Sequence, residues 1–423
     1  MSDARSIDAV KDSVTVDSRG GVMLKVVGGL LMLLGGLLCL MLGSTPAGRD
    51  AFASSWLMGF IFVWVIVLGA LFLVVLHHII GAVWSVVIRR VSELVADSIW
   101  LVGLFFIPVL IFFFFGSEDK ALFSWIHADP HDEIIAVKEP YLNKVGFVVR
   151  AILYFVIWIL FARFFVSRSL KQDTDQNNHA QTHRFRQWSP PFMILFGFSV
   201  TFAGFDWMMS LDAHWFSTIF GVYIFAGLAL SSLSVITILV IWLNGQGRLG
   251  EQIVRPDHLY SLGCLLFTFT CFWAYIWFSQ FMLIWYGNVN EETIWFAHRG
   301  WGHVAGHEGA DNSWLYFTIA LLIMRFVIPF ALLLGRWAKT NTTLLTVISL
   351  WILLGQVWDL YWLILPQAPG YSESPSITAD VFGPLCLMAG AVAFNIGIQV
   401  QKHRCVPVGD PLFEDSYRFQ LTI

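Results

Sequence analysis

The 423-residue chain is poor in charge: Asp, Glu, Lys and Arg make up 13% of it, where a soluble domain carries about a quarter. Hydrophobic residues supply 57% and the mean hydropathy is +0.70, a balance that excludes a soluble fold and, equally, a disordered chain. Five cysteines are too few for a disulfide scaffold of this length. Cys39, Cys264, Cys271, Cys386 and Cys405 form no Cys-x-x-Cys run, which argues against a zinc ribbon or an iron–sulfur cluster. Without a Cys-x-x-Cys-His there is no covalent c-haem. A Walker A motif is lacking, as is a Gly-x-Gly-x-x-Gly opening a helix after a strand, which removes ATP-driven pumping and nicotinamide binding. Lys and Arg number 25 against 29 Asp and Glu, so no bulk basic field exists to bind nucleic acid or anionic lipid headgroups by charge alone.

What the chain has is long apolar runs. A bilayer core of about 30 Å needs about 20 apolar residues per helix. Ten such runs occur, at about 23–42, 56–80, 98–115, 146–166, 191–211, 217–243, 259–287, 313–336, 343–365 and 380–400. They lack the alternating polar face of membrane β-barrel strands. The first reads as a retained helix rather than a signal peptide, because its n-region is long and polar and its apolar run is nearer 18 residues than 12. With the N-terminus inside, 18 Lys and Arg fall on cytoplasmic segments and only five, Arg49, Lys120, Lys138, Lys144 and Arg299, on outer ones. Arg150 stands at a helix start and Arg325 inside a span. Both termini are therefore expected in the cytoplasm.

The expectation is an all-α integral membrane protein: a cytoplasmic tail at 1–22, a ten-helix domain at 23–400 and a cytoplasmic tail at 401–423. The longer connections are an acidic outer loop at 116–144, a polar inner loop at 167–190 that lacks apolar residues to pack, and an outer loop at 288–312.

A b-type haem needs two histidines at matching depth on facing helices, but the only histidines inside spans, His77 and His78, are adjacent on one helix. They read as interfacial histidines satisfied by headgroups or water. Ionisable residues in hydrocarbon are functional candidates because burying them is costly. Asp206 and Asp359 fall in the outer part of the fifth and ninth runs, and Arg325 near the middle of the eighth. Each has a structural alternative: hydrogen bonds to helix ends or Trp N–H groups for the aspartates, a buried carbonyl or carboxylate for Arg325. By depth, Arg325 matches Gln356, which supplies an acceptor oxygen but no charge, so a carboxylate or several carbonyls should also lie near. Around the aspartates are Asp212, His214, Gln280, His298, Tyr361 and many tryptophans. A quinol needs a flat apolar slot with acceptors for two protons, which carboxylates or histidines on the outer side would supply. Transporters also place carboxylates between helices. His303, His307 and Glu308 have zinc-like spacing, yet Gly and Ala among them favour a solvated loop.

Longer strings narrow the reading. The run Phe205-Asp206-Trp207-Met208-Met209-Ser210-Leu211-Asp212-Ala213-His214-Trp215-Phe216-Ser217-Thr218-Ile219-Phe220-Gly221-Val222-Tyr223 resembles the signature of the second large quinone-type subunit of bacterial alternative complex III. So do Phe272-Trp273-Ala274-Tyr275 with Phe278-Ser279-Gln280-Phe281-Met282-Leu283-Ile284-Trp285-Tyr286, Glu291-Glu292-Thr293, and Asp359-Leu360-Tyr361-Trp362. These strings span most of 188–365, while residues 1–150 match in span count and placement only. The resemblance implies a polysulfide-reductase-type membrane subunit built around two four-helix bundles plus peripheral helices. It implies a complex in which quinol is oxidised and electrons pass through iron–sulfur and c-haem subunits to a periplasmic cytochrome or a terminal oxidase. A sister membrane subunit is the better-supported quinol site, which leaves this one scaffold, quinone contact and proton path. Where relatives often carry His on helices eight and nine, this chain has Arg325 and Gln356, which removes two protonatable positions.

The expected function is thus a subunit of a quinol:cytochrome c oxidoreductase in the bacterial inner membrane, without a catalytic centre of its own. It holds no covalent cofactor or metal and contacts quinone, lipids and the partner subunits. Candidate quinone or proton-path residues are Asp206, His214, Gln280, Asp359, Tyr361, Arg325 and Gln356. The alternatives are a secondary transporter with Asp206 and Arg325 as coupling residues, and a pure scaffold.

Overall fold

The computed structural model describes residues 7–14, 16, 21–44, 46–116, 122–129, 131–174, 179–250, 252–301, 313–368, 375 and 381–421. Among them there is no strand. Ten helices are long and apolar enough to cross a membrane, the architecture of a multi-pass membrane protein. They are α1 (Val22–Ser44), α2 (Ala51–Ile80), α3 (Val86–Phe115), α4 (Lys144–Gln172), α5 (Ala180–Leu211), α6 (Phe220–Gly245), α7 (Pro256–Gly287), α8 (Ser313–Leu333), α9 (Thr342–Gln367) and α10 (Phe382–Lys402).

Local chemistry sets several boundaries. The Asn143 and Asn341 side chains accept hydrogen bonds from Gly146 N and Leu344 N, capping the starts of α4 and α9. Pro256 opens α7, where its missing N–H costs nothing, and Asn288, in the left-handed region at φ 46°, closes it.

The apolar α2 is the hub, packing against α3, α5, α6 and α10. Contacts also join α3 to α4 and α4 to α5; α6 to α7 and α9; and α8 to both α7 and α9. Helix α1 touches mainly α10. Gly21, Gly28 and Gly35 on α1 or just before it meet Gly397, Gly390 and Gly383, a seven-residue spacing that brings the backbones together. A Cβ on Gly28 would sit 2.6 Å from the Gly390 carbonyl oxygen, so no larger residue fits.

The structure corrects the readings of the inner loop and the C-terminal tail. The segment expected as a polar loop at 167–190 is mostly helix: α4 runs to Gln172 and α5 starts at Ala180, straight through Pro190 and Pro191. Residues 86–96, just before the third apolar run, form the first turns of α3, with Arg89, Arg90 and Glu93 all buried. Three carboxylates neutralise the two arginines. Arg89 bonds Glu93 at 3.0 Å and Asp410 at 2.7 Å, and Arg90 bonds Glu93 and Asp173 at 2.9 Å each. The C-terminal segment is accordingly docked, with Phe413 buried, Ser416 bonded to Val87 N and Trp84 O, and His258 Nε2 against the Ser416 carbonyl. Burial lowers the pKa of His403 and raises that of the Cys405 thiol to about 11.

His77 and His78 do not meet headgroups. They are buried, His77 edge-on to Trp84 and His78 against Phe165 and Phe185, because α4, the start of α5 and Trp84 close over them. His303, His307 and Glu308, like Lys120, lie outside the described residues.

Candidate functional site

Two carboxylate clusters lie within the helices, both toward the end opposite the termini. The first joins α4 to α5. Arg150 and Tyr154, one turn apart, share a face of α4. Arg150 donates from Nε to Asp206 Oδ2 at 2.9 Å and from Nη2 to Oδ1 at 2.8 Å, a bidentate pair. The Tyr154 hydroxyl donates to Asp206 Oδ2 at 2.9 Å. Asp206 is fully buried, whereas the Arg150 side chain is 20% exposed. Its guanidinium stacks 3.9 Å over the Tyr141 ring and donates to the Tyr141 carbonyl.

Beside this cluster lies an apolar groove of about 410 Å³ walled by Tyr141, Phe202, Phe205, Met209, Trp215 and Phe216. The buried Tyr141 hydroxyl lies against Asp206 and Tyr154, and burial together with the Asp206 charge raises its pKa. Lys138 and Asp212 stand at the rim. Lys138 Nζ donates to the Ala213 carbonyl at 2.5 Å, and burial lowers its pKa.

The second cluster joins α6, α8 and α9 and is sealed from the surface. Arg325, Gln356 and Asp359 are all buried. Arg325 Nη2 donates to Gln356 Oε1 at 2.6 Å, and Nη1 lies 3.3 Å from Asp359 Oδ2. Ser231 also donates to Gln356 Oε1, at 2.8 Å, and the Tyr223 hydroxyl donates to Asp359. The guanidinium rests 4.7 Å from the Trp273 ring centroid, a cation–π contact in low dielectric. Gly227 makes room for it: a Cβ there would lie 3.2 Å from both Arg325 Nη2 and Gln356 Oε1. The backbone widens into a π-helical turn at Ile323–Val327. Pro329, four residues after Arg325, has no N–H to donate to the Arg325 carbonyl, which accounts for the local break in the ladder.

The remaining candidates are dispersed. His214 is exposed and its Nε2 lies 2.6 Å from Asp132 Oδ2. That hydrogen bond, with backbone N–H groups of the Glu133–Lys138 helix, lowers the Asp132 pKa. Buried Gln280 accepts a long 3.5 Å hydrogen bond from Ser217, and Tyr361 stacks on Phe317. Depth matching on the sequence brings Arg325 and Gln356 together, and the structure places them in contact. Arg150, Tyr154 and Tyr223 escaped selection, although the Arg150/Tyr154 spacing was a usable signal.

Arg299, expected on an outer loop, is buried. It donates to the carbonyls of Trp295, Trp362 and Leu363 and stacks 3.4 Å from the Trp295 ring centroid, so it caps the end of α9. Burial lowers its pKa to about 9.

No family model matches the chain, and no curated protein matches it either.

Proposed function

We propose that this chain is a membrane subunit of a bacterial quinol:cytochrome c oxidoreductase of the alternative complex III type, set in the inner membrane with both termini in the cytoplasm. The observation that carries the reading is the aromatic groove beside the Arg150–Asp206 pair. Phe202, Phe205 and Phe216 offer flat apolar surface for a quinol ring, and Tyr141, whose buried hydroxyl lies against Asp206 and Tyr154, joins that surface to the carboxylate. A quinol is a substrate here and brings two protons to be released as its electrons leave. Asp212 at the rim and Asp206 behind Tyr141 are the carboxylates available to that release, and Arg150 holds Asp206 in one orientation. Electrons would leave to iron–sulfur and c-haem centres of partner subunits, beside a sister membrane subunit and, where coupled, a terminal oxidase.

The helix contacts support a two-bundle plan, α2–α5 and α6–α9, with α1 and α10 peripheral. The basic-residue split supports the orientation, under which a Cys at Glu414 labels from the cytoplasm and a Cys at Asp132 from outside. The test is Asp206→Asn in the assembled complex. Quinol:cytochrome c turnover should fall at least roughly tenfold with the complex intact, the scale of a lost proton acceptor. Unchanged turnover and pH profile would make Asp206 structural.

A further inference from the structure

A second opening lies at the other end of the molecule, between α3 and α4. It is a cleft of about 320 Å³ lined by Asp97, Ile99, Trp100, Ile159, Ala162 and Arg163. Unlike the aromatic groove it is polar at one side. Arg163 and Lys402 are exposed, both act electrostatically on Asp97, and neither is in ion-pair contact with a carboxylate among the described residues. The Asp97 carboxylate is itself held by Gln399 Nε2 at 2.6 Å. Two cations against one engaged carboxylate leave a net positive site.

Its depth is fixed by α10. The Gln399 bond puts Asp97 within one turn of Lys402, where α10 ends, and Arg163 shares the cleft with Asp97. Helix α10, at 21 residues, is about 31 Å long and so just spans a hydrocarbon core. Helix α4, at 29 residues, is about 43 Å long, and its last turns run on past this level. The cleft therefore sits where hydrocarbon gives way to headgroups, the layer in which Trp and long cations are anchored. From it two exposed apolar stripes run into the membrane: Leu104 and Ile107 on α3, below Trp100, and Val156 and Leu160 on α4, below Arg163. The i, i+4, i+7 spacing keeps each stripe on the face that carries its polar anchor.

We infer that this cleft binds an anionic phospholipid, its phosphodiester between Arg163 and Lys402, its glycerol region against Trp100, and its acyl chains along the two stripes. A headgroup of net negative charge suits the site, because a zwitterionic one would bring its own cation against Arg163 and Lys402. A basic recess between membrane helices is a recurrent means of selecting such lipids. The inference is independent of the quinol reading.

The test uses the full chain in mild detergent, with native mass spectrometry after adding phosphatidylglycerol or phosphatidylcholine of identical acyl chains. One phosphatidylglycerol should be retained in clear preference. Arg163→Gln and Lys402→Gln should each weaken that retention roughly fivefold, and the double variant should reduce it to the phosphatidylcholine level. Arg163→Lys, which keeps a cation, should retain it, as should Arg418→Gln, which removes a charge bonded to Glu414 away from the cleft. Equal retention of the two lipids, or preference unaltered in the double variant, would overturn the site. Displacement of the lipid by millimolar inorganic phosphate would overturn the lipid assignment in favour of free phosphate.

Discussion

The two intramembrane clusters use the same parts in different surroundings. In each, an aspartate takes an arginine and a tyrosine hydroxyl, Arg150 and Tyr154 for Asp206, Arg325 and Tyr223 for Asp359. Around Asp206 the arginine is 20% exposed and the neighbouring groove is open. Around Asp359 everything is buried, and the arginine is further fixed by Gln356, Ser231 and Trp273. A charge pair with one wet side can change protonation or partner at modest cost. A dry one cannot, because water is not there to take over when a partner is lost. The first cluster therefore suits chemistry and the second suits holding α6, α8 and α9 together.

Breaking the dry pair should have the largest effect. Arg325→Met leaves Asp359 buried without its cation, a cost of about 3–5 kcal/mol, and should sharply lower thermal stability or yield in detergent. Turnover per assembled complex should hold, since a guanidinium does not give up its proton at physiological pH. Arg150→Met should cost less, about 1–3 kcal/mol, because water reaches the vacated side. Equal losses in parallel melts would erase the distinction between the clusters.

Asp-to-Asn exchange sharpens it further. Asp359→Asn should lower the melting temperature strongly and leave turnover unchanged, whereas Asp206→Asn should lower the melting temperature less and reduce turnover. The tyrosines give a smaller contrast: each donates a buried hydrogen bond to a carboxylate, a class worth about 1.5–3 kcal/mol, with Tyr223→Phe expected toward the upper end and Tyr154→Phe, beside the partly exposed Arg150, toward the lower. Paired denaturation curves would show whether that order holds.

The smallest effect is expected at the exposed rim. The hydrogen bond from His214 lowers the Asp132 pKa in the folded chain. A carboxylate with a lowered folded pKa stabilises above its unfolded value, and that contribution is lost as pH falls through the folded one. His214→Gln should thus alter the melting temperature slightly near neutral pH, with the difference closing as pH falls below the ordinary carboxylate range. A difference that widens on acidification would refute the pairing.

Much of this was legible in the sequence because helix geometry converts residue count into depth. The ten spans follow from hydropathy, and the Arg325–Gln356 pair follows from equal distances along antiparallel helices. Asp359 lies three residues beyond Gln356 and so on the same face, which the periodicity could also have supplied. The Asp206 partner was missed because Arg150 stands near a helix start and counts there as an ordinary flanking cation. The Arg89–Glu93–Arg90 network was illegible for another reason: its outer carboxylates, Asp173 and Asp410, come from distant segments, and only the folded chain joins them. Polarity therefore suggested solvated loops where compensated charge is buried. The docked C-terminal segment and the buried Arg299 follow the same rule, since no local pattern reveals which carbonyls or acids a distant cation will meet.

The central claim is that the chain works within a c-haem-bearing quinol oxidoreductase. Tagging it in its native membrane, extracting in mild detergent and recording the absorbance of the eluted complex tests that most directly. The account predicts a coloured assembly with a c-type haem spectrum that is reduced on adding quinol. A colourless chain that elutes alone, with full thermal stability and no haem, would contradict it.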